Sequence, residues 1–322
     1  VDTNPATALS SPAVGQRWRA MLRTSAVAGS EFAQGAGGVK VERVVSPWIE
    51  EGEEDGVDCE VSISPGAAEP DLIMSDYFAA LGEIPIPPYF NREAVPEDEV
   101  RYQNVFSKDE GSVAAPTAGL HFTEPMIERL LPFSSFLTLH VSAGTFKPIE
   151  ASSIEDHEMH SETFACSKVE VMRVVEALEA GKDILAVGTT SARTLESLYW
   201  IGASMILEGR RGTHLGQFDC YGLASSHGGS LPSASSALSA VASQAQTEVL
   251  SGSTALMIRP GYGFRVVDKL LTNFHAPDST LMLMVSAFSG TDEIKRLYEE
   301  ALKNEFRFLS YGDCCLLSRR RE

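Results

Sequence analysis

The alternation of strand and helix patterns in the second half of the sequence is the feature that most constrains the fold. Ser167 and Glu170 have the spacing of a capping box at a helix start, and Gly181 marks the end of that helix before the strand-like run ILAVG. The helix pattern ARTLESLYW, the strand pattern FRVVDKLLTNF, the buried helix STLMLMVSAF and the amphipathic helix TDEIKRLYEEALKNEF follow in turn. This alternation predicts an α/β domain.

The first part of the chain has a different pattern. Residues 1–16 are rich in Ser, Pro, Ala and Thr, which predicts a disordered lead-in. Residues 17–85 contain short runs separated by Gly-rich joints and predict a small β domain, and the proline-rich EIPIPPYFNR leads into an α/β domain over residues 86–322. Within that domain, the low-complexity composition of residues 203–255 predicts a flexible insertion.

Composition and charge limit the classes of function. The chain has 322 residues, 43% of them hydrophobic, which is enough to fill real cores, and its apolar runs are too short to cross a membrane. A net charge of −18 argues against generic binding to a phosphate backbone, so any nucleic-acid site must be a local patch. The five cysteines lack the spacing of a zinc knuckle or a redox pair and predict reduced thiols in an intracellular protein.

Five of the seven histidines fall at junctions between elements, beside small or hydroxyl residues: His121, His140, His157, His160 and His275. A histidine in such a place can act as a general base or polar anchor near neutral pH. The simpler interpretation is that each one satisfies backbone groups in a loop.

The segment VGTTSARTLES carries a second signal. Thr189, Thr190 and Ser191 open a helix directly after a strand, and Arg193 follows one turn later. Free amides, hydroxyls and a guanidinium at a helix start form a site for a carboxylate or a phosphate, although ordinary N-capping gives the same pattern. The segment lacks the lysine of a P-loop and the spacing of a dinucleotide fingerprint.

The segment IEDHEMHSE places His157, His160 and Glu162 close together. The two histidines could ligate a metal, but the spacing is not His-Glu-x-x-His and no cysteine assists, so we expect no metal there. The carboxylates equally suit hydrogen bonding to a sugar or to a cationic substrate.

Two later segments add polar residues at element ends. Asn273 and His275 follow a strand, which is where α/β folds bind ligands. Tyr311 and Asp313 lie around a glycine turn, where Asp313 can serve a ligand or simply cap the turn.

Six segments, AAPTAGLHFT, LHVSAGTFKP, IEDHEMHSE, VGTTSARTLES, PGYGFRVVDKLLTNFHAPDSTLMLMVSAF and FRFLSYGD, taken in this order, resemble the S-adenosylmethionine:tRNA ribosyltransferase-isomerase family of queuosine biosynthesis. The resemblance implies an α/β domain with a small β-barrel inserted in it, and an N-terminal part of the α/β domain that is missing from this sequence. It also implies a monomer without metal or resident cofactor, with S-adenosylmethionine as co-substrate and tRNA with a GUN-type anticodon as partner. We expect a cytoplasmic protein, with an organelle as the alternative location.

The family transfers and isomerises the ribosyl part of S-adenosylmethionine onto 7-aminomethyl-7-deazaguanine at the tRNA wobble position, which gives epoxyqueuosine and releases adenine and methionine. The resemblance implies acid/base roles for His121 and His140, and a role for Asp313 in polarising a ligand nitrogen or hydroxyl. The remaining substrate-binding candidates share positions at element ends: Pro116, Thr117, Gly119, His160, Glu162, Thr189, Thr190, Ser191, Arg193, Asn273, His275 and Tyr311.

Two other functions compete with this enzyme. A truncated, catalytically inactive homologue would only bind tRNA or a protein partner, and the lack of a match to the family's N-terminal segment favours it. A methyltransferase is disfavoured because the chain has no Gly-rich turn after a first strand with an acidic ribose-binding residue beyond it.

Overall fold

The structure is a computed structural model, and it describes residues 17–22, 31–34, 37–50, 53–65, 84, 86–107, 112, 114–141, 153–245 and 247–320. The chain divides into two compact units. The first comprises Val1–Ile86, Phe90–Asp98 and Lys108–Gly111, and the second comprises Pro87–Tyr89, Glu99–Ser107 and Ser112–Glu322. The main boundary lies next to the one predicted after residue 85, and the lead-in predicted at residues 1–16 lies outside the described residues.

The first unit contains an antiparallel sheet with strand order β1-β4-β3-β2. Its strands are β1 (Arg17–Leu22), β2 (Glu31–Gln34), β3 (Gly37–Glu50) and β4 (Glu53–Pro65). Val41 of β3 and Val61 of β4 are register partners, and both are buried. The strands lie within residues 17–85, while the small β domain predicted there, its closure into a barrel and its insertion into the α/β domain stay predictions.

The second unit contains two sheets. In one, β7 (Leu185–Val187) runs parallel to β10 (Lys269–Asn273), which pairs antiparallel with β11 (Cys314–Ser318). The other has the order β5-β6-β9-β8, formed by Thr138–His140, Glu162–Ser167, Val249–Thr254 and His214–Leu215 respectively. Together with the helices of the second unit, these sheets confirm the predicted mixed α/β class.

The α-helices, in chain order, are α1 (Pro96–Arg101), which crosses from the first unit into the second, α2 (Glu124–Leu130), α3 (Lys168–Glu179), α4 (Thr189–Glu208), α5 (Asp219–His227), α6 (Ala234–Gln244), α7 (Thr280–Ser289) and α8 (Thr291–Lys303). The start of α3 follows the predicted cap, since the Ser167 hydroxyl accepts the Glu170 backbone N–H at 3.1 Å. Gly181, with φ of +65°, follows its end.

The prediction of a flexible insertion at residues 203–255 is wrong. Helix α4 continues through Glu208, and α5, α6, β8 and β9 order most of the remainder. Ala237, Leu238 and Val241 of α6 are fully buried. At Gly202, helices α4 and α6 approach each other so closely that an added Cβ would lie 2.0 Å from the Ala237 carbonyl oxygen. Small residues allow this close backbone packing, so the segment needs few large apolar groups to form a core.

Helix α4 is buried on nearly all sides, and it carries a buried carboxylate. Glu196 accepts hydrogen bonds from the backbone N–H groups of Arg265, Val266 and Val267 and from the Tyr262 hydroxyl, at 2.8 to 3.1 Å. Burial raises the pKa of Glu196, and these donors oppose that shift. The carboxylate thus fixes the loop that leads into β10.

Candidate functional site

Strands β7 and β10 are parallel, so their carboxyl ends meet at one edge of the sheet and bring together the segments that follow them. After β7, the Gly188 N–H donates to the Leu271 carbonyl of β10 at 2.8 Å. Gly188 has a φ of +89°, a conformation that strains any other residue, and this turn sends the chain directly into α4. Thr189, Thr190 and Arg193 therefore lie at the sheet edge.

A small pocket lies at this edge, with a cavity volume of about 60 Å³. Three segments line it: the loop before β6 together with the first residue of that strand, the first turn and a half of α4, and the start of α7. Its lining residues are His157, Glu158, Met159, His160, Glu162, Thr189, Thr190, Arg193, Thr280, Leu281 and Met284. The structure thus brings together five of the predicted binding residues: His160, Glu162, Thr189, Thr190 and Arg193. Ser191, on the same helix, is not part of the lining.

The pocket contains a buried ion pair. The Arg193 guanidinium contacts the Glu162 carboxylate, and their side chains are 10% and 2% exposed. Burial lowers the pKa of Arg193 to about 10, which still leaves it charged at neutral pH. The Arg193 Nε–H is buried and has no hydrogen-bond partner among the described residues. A buried donor of this kind needs a partner such as a ligand or a water molecule.

Contacts from the segment that looked like an insertion hold one wall of the pocket. The Gln217 side-chain amide donates to the His157 carbonyl at 2.6 Å, and its oxygen accepts the Met159 N–H at 3.0 Å. Arg259, just beyond that segment, pairs with Glu155 at the start of the same loop. Sequence reasoning missed Gln217, because nothing local distinguishes this glutamine.

A second polar cluster forms beyond the end of β10. His121 ends the 3-10 turn Thr117–His121, and its Nε2 lies 3.2 Å from the Asn273 side-chain oxygen. The Asn273 amide in turn donates to the carbonyls of Leu309 and Ser310, at 3.0 and 3.3 Å. This cluster holds the imidazole of His121 through its Nε2 beside the end of β10, and its acid/base role stays a prediction. The hydrogen-bond role of each nitrogen depends on the tautomer.

The small residues before His121 have an internal packing partner. Gly119 lies against Asn104, where an added Cβ would be 2.9 Å from the Asn104 side chain. Asn104 also donates to the Pro116 carbonyl at 3.1 Å. Close approach of Pro116, Thr117 and Gly119 to a ligand stays a prediction, because the contacts observed here are within the protein.

Asp313 caps its own turn, as the simpler interpretation expected. Its carboxylate accepts the Arg307 backbone N–H at 2.8 Å and the Arg307 guanidinium at 3.0 Å. Arg307 is the main reason that the pKa of Asp313 is lowered, and the charge of His121 adds a smaller effect in the same direction. Asp313 thus lies within electrostatic range of the His121 cluster, and its action on a ligand stays a prediction.

Tyr311, in the same turn, contacts the edge of Tyr102, with ring centroids 5.8 Å apart, and lies under the Arg101 guanidinium. These neighbours belong to the protein, so its predicted substrate contact also stays a prediction.

His275 and His140 lie outside both clusters. The His275 Nε2 pairs with the Thr272 hydroxyl at 3.0 Å, its backbone N–H donates to the Tyr298 hydroxyl, and burial lowers its pKa to about 4. This environment keeps the ring neutral and suits a structural role. His140 is the register partner of Thr163 and not of Glu162, so it does not share the face of β6 that Glu162 occupies. Its Nδ1 is buried without a hydrogen-bond partner among the described residues.

Sequence reasoning also missed Glu196. A single acid inside the apolar stretch LESLYWIGA would have been the signal, because a buried helix tolerates a carboxylate only where donors surround it. In the part of the chain that the structure describes, no group of three His, Cys, Asp or Glu side chains could hold a metal ion. No helix among those residues is both long and apolar enough to cross a membrane.

Comparison with known proteins identifies the family. The model of the family described as queuosine biosynthesis protein matches residues 7–317. The chain belongs to this family. The resemblance indicated by the sequence motifs is thereby confirmed.

Three similar relatives of the queuosine biosynthesis family are each named S-adenosylmethionine:tRNA ribosyltransferase-isomerase. The protein from Halothermothrix orenii is 40% identical over 240 residues, which is 74% of this chain and 58% of that protein. The Burkholderia orbicola protein is 40% identical over 242 residues, with the same coverage of 74% and 58%. The Burkholderia lata protein is 40% identical over 248 residues, or 76% and 59%. The chain therefore spans less than three fifths of the length of these relatives.

A crystal structure of S-adenosylmethionine tRNA ribosyltransferase from Thermotoga maritima is also similar to this chain. It has a TM-score of 0.39 and 24% identity, with 91% of this chain and 66% of that chain covered.

Proposed function

We propose that this chain acts as an S-adenosylmethionine-dependent tRNA ribosyltransferase-isomerase. It would transfer and isomerise the ribosyl part of S-adenosylmethionine onto 7-aminomethyl-7-deazaguanine at the wobble position of tRNA with a GUN-type anticodon. Epoxyqueuosine forms, and adenine and methionine leave. The proposal retains a cytoplasmic monomer that needs no resident cofactor or metal.

One observation carries this proposal: in this chain of the queuosine biosynthesis family, two clusters of polar side chains lie at the same edge of one sheet. Arg193 of the pocket lies on the helix that follows β7, and the His121–Asn273 pair lies at the end of β10. A substrate with a charged end and a reacting nucleoside needs both a charge-binding pocket and a proton-transfer group within one site.

The reaction fits the residue types that are present. The sulfonium of S-adenosylmethionine acidifies the adjacent ribose carbon, so a base as modest as an imidazole can remove its proton. Adenine leaves more easily when its ring accepts a proton or a hydrogen bond. In this proposal His121, oriented by Asn273, takes part in proton transfer, and Asp313 polarises a ligand nitrogen or hydroxyl. His140 stays a second candidate for acid/base work.

The test is adenine release from S-adenosylmethionine, with and without an anticodon stem-loop that carries 7-aminomethyl-7-deazaguanine. We expect release that depends on the modified RNA. Alanine at His121 should lower the rate by about 10²- to 10⁴-fold, the usual contribution of general acid–base catalysis. His227→Ala is the matched control, since His227 ends α5 and is absent from both polar clusters.

The outcomes separate the alternatives. A cooperatively folded chain that releases no adenine but binds the stem-loop would support an inactive homologue that only binds tRNA. Full activity in His121→Ala would remove this residue from the mechanism, and the same experiment on His140→Ala would decide its role.

A further inference from the structure

We infer that the Arg193–Glu162 pocket binds a zwitterionic α-amino acid group, namely the methionyl end of S-adenosylmethionine, and not a phosphate of the RNA. The identity of the ligand rests on the proposed function. The choice between an amino acid and a phosphate rests on the charge, the donors and the size of the pocket.

The charge of the pocket disfavours an anion. Among the described residues, its walls carry two carboxylates, Glu158 and Glu162, and one guanidinium, that of Arg193. Apart from the two histidines, the described lining therefore has one net negative charge. A phosphate would meet the like charge of Glu158, because the charges of Arg193 and Glu162 offset each other. The methionyl end of S-adenosylmethionine has one carboxylate, one ammonium and one sulfonium, so its net positive charge matches the lining.

The donors are arranged for one carboxylate. The buried Nε–H of Arg193 has no hydrogen-bond partner among the described residues, although the guanidinium already contacts Glu162. Thr189 and Thr190 begin the 20-residue helix α4, whose N-terminus adds free backbone N–H groups and a favourable dipole. A substrate carboxylate can accept from these groups, while its ammonium faces the acidic wall.

The apolar wall and the volume of the pocket also suit the methionyl end of S-adenosylmethionine. Leu281 and Met284 of α7 give one side of the pocket an apolar surface, which suits the methylene groups and the sulfur of a methionyl chain. A cavity of about 60 Å³ has room for a few groups the size of a water molecule, each of which needs roughly 10 to 15 Å³. The amino acid head fits this space, and the adenosyl part must lie outside it.

Equilibrium dialysis of the full chain tests the inference with three probes: L-methionine, its analogue 4-(methylthio)butanoate that lacks the ammonium, and inorganic phosphate. We expect L-methionine to bind at least tenfold more tightly than the analogue, since the analogue lacks the ammonium that forms charge-assisted hydrogen bonds. Phosphate at equal concentration should not displace L-methionine.

Variants assign the contacts. Glu158→Gln, at an exposed residue, should weaken L-methionine binding severalfold and leave the analogue unaffected. Arg193→Lys should weaken both organic probes, because it loses the buried Nε–H. Glu179→Gln, at the exposed end of α3, is the matched control and should change neither. The melting transition of each variant identifies any loss of folding.

Three results would overturn the inference: equal affinity for the analogue, displacement of methionine by phosphate, or no methionine binding at millimolar concentration. The last two would direct attention to RNA phosphate or to another substrate group. Methionine binding without adenine release would contradict the proposed activity and leave this inference standing. RNA-dependent adenine release with an unchanged KM for S-adenosylmethionine in Glu158→Gln and Arg193→Lys would contradict this inference and leave the proposed activity standing.

Discussion

Residues 154–200 and residues 203–255 belong to the same unit, yet different contacts order them. The first stretch has large buried side chains such as Leu198, Tyr199 and Trp200. The second is rich in Ser, Ala and Gly, and its helix α6 packs by backbone approach at Gly202. A composition poor in large apolar groups is therefore compatible with a packed core where two helices come close.

The two stretches also make different contributions to the candidate site. The first supplies the groups that face the pocket, Arg193 and Glu162 among them. The second supplies Gln217, whose amide holds the backbone of the pocket wall at His157 and Met159. A binding residue can therefore depend on a segment whose own sequence shows no functional signal.

Among the changes that test this difference between the two stretches, Gly202→Ala should lower the free energy of unfolding the most. The added methyl group would overlap the Ala237 backbone of α6, which cannot move without displacing the helix. We expect the free energy of unfolding to fall by about 1 to 3 kcal/mol, measured by urea denaturation. Gly222→Ala is the matched control, because a Cβ there meets no atom within 4 Å and alanine favours a helix. An unchanged midpoint in Gly202→Ala would contradict the close packing of α4 and α6.

A smaller effect is expected from Gln217→Leu. Loss of the hydrogen bonds to His157 and Met159 should destabilise the protein by about 1 to 2 kcal/mol. It should also speed amide hydrogen exchange at Met159, since that N–H loses its acceptor. Gln244→Leu, at the exposed end of α6, serves as control. Unaltered exchange at Met159 would mean that the wall holds its shape without Gln217.

The smallest effect compares two helix caps, one in each stretch. The Ser167 hydroxyl accepts the Glu170 N–H, and the Ser233 hydroxyl accepts the Ser236 N–H, both at 3.1 Å. Alanine at either position should lower the free energy of unfolding by about 1 kcal/mol. Equal losses in one cooperative transition would show that both stretches fold together. A loss confined to Ser167→Ala would restore the idea that residues 203–255 behave as a separate, weakly ordered segment.

The parts of the fold that local chemistry controls were predictable. The cap at Ser167, the strand ILAVG, the helix after Gly188 and the amphipathic helix beginning at Thr291 each depend on a few neighbouring residues. The pocket residues Thr189, Thr190 and Arg193 were predictable for the same reason, because a helix start binds anions through its own backbone. Glu196 was not recognised, since its donors come from a loop about 70 residues further along the chain.

By itself, the sequence determined the α/β class, the family, and the helix start and histidine-rich loop that supply the pocket, because period, capping and motif order are local properties of the chain. Only the tertiary structure decided that helices and strands form most of residues 203–255 and that His121 pairs with Asn273. It also separated His140 and His275 from the pocket. Those outcomes depend on which distant groups come within hydrogen-bond or van der Waals distance, and strand pairing and helix packing, not local pattern, set those distances.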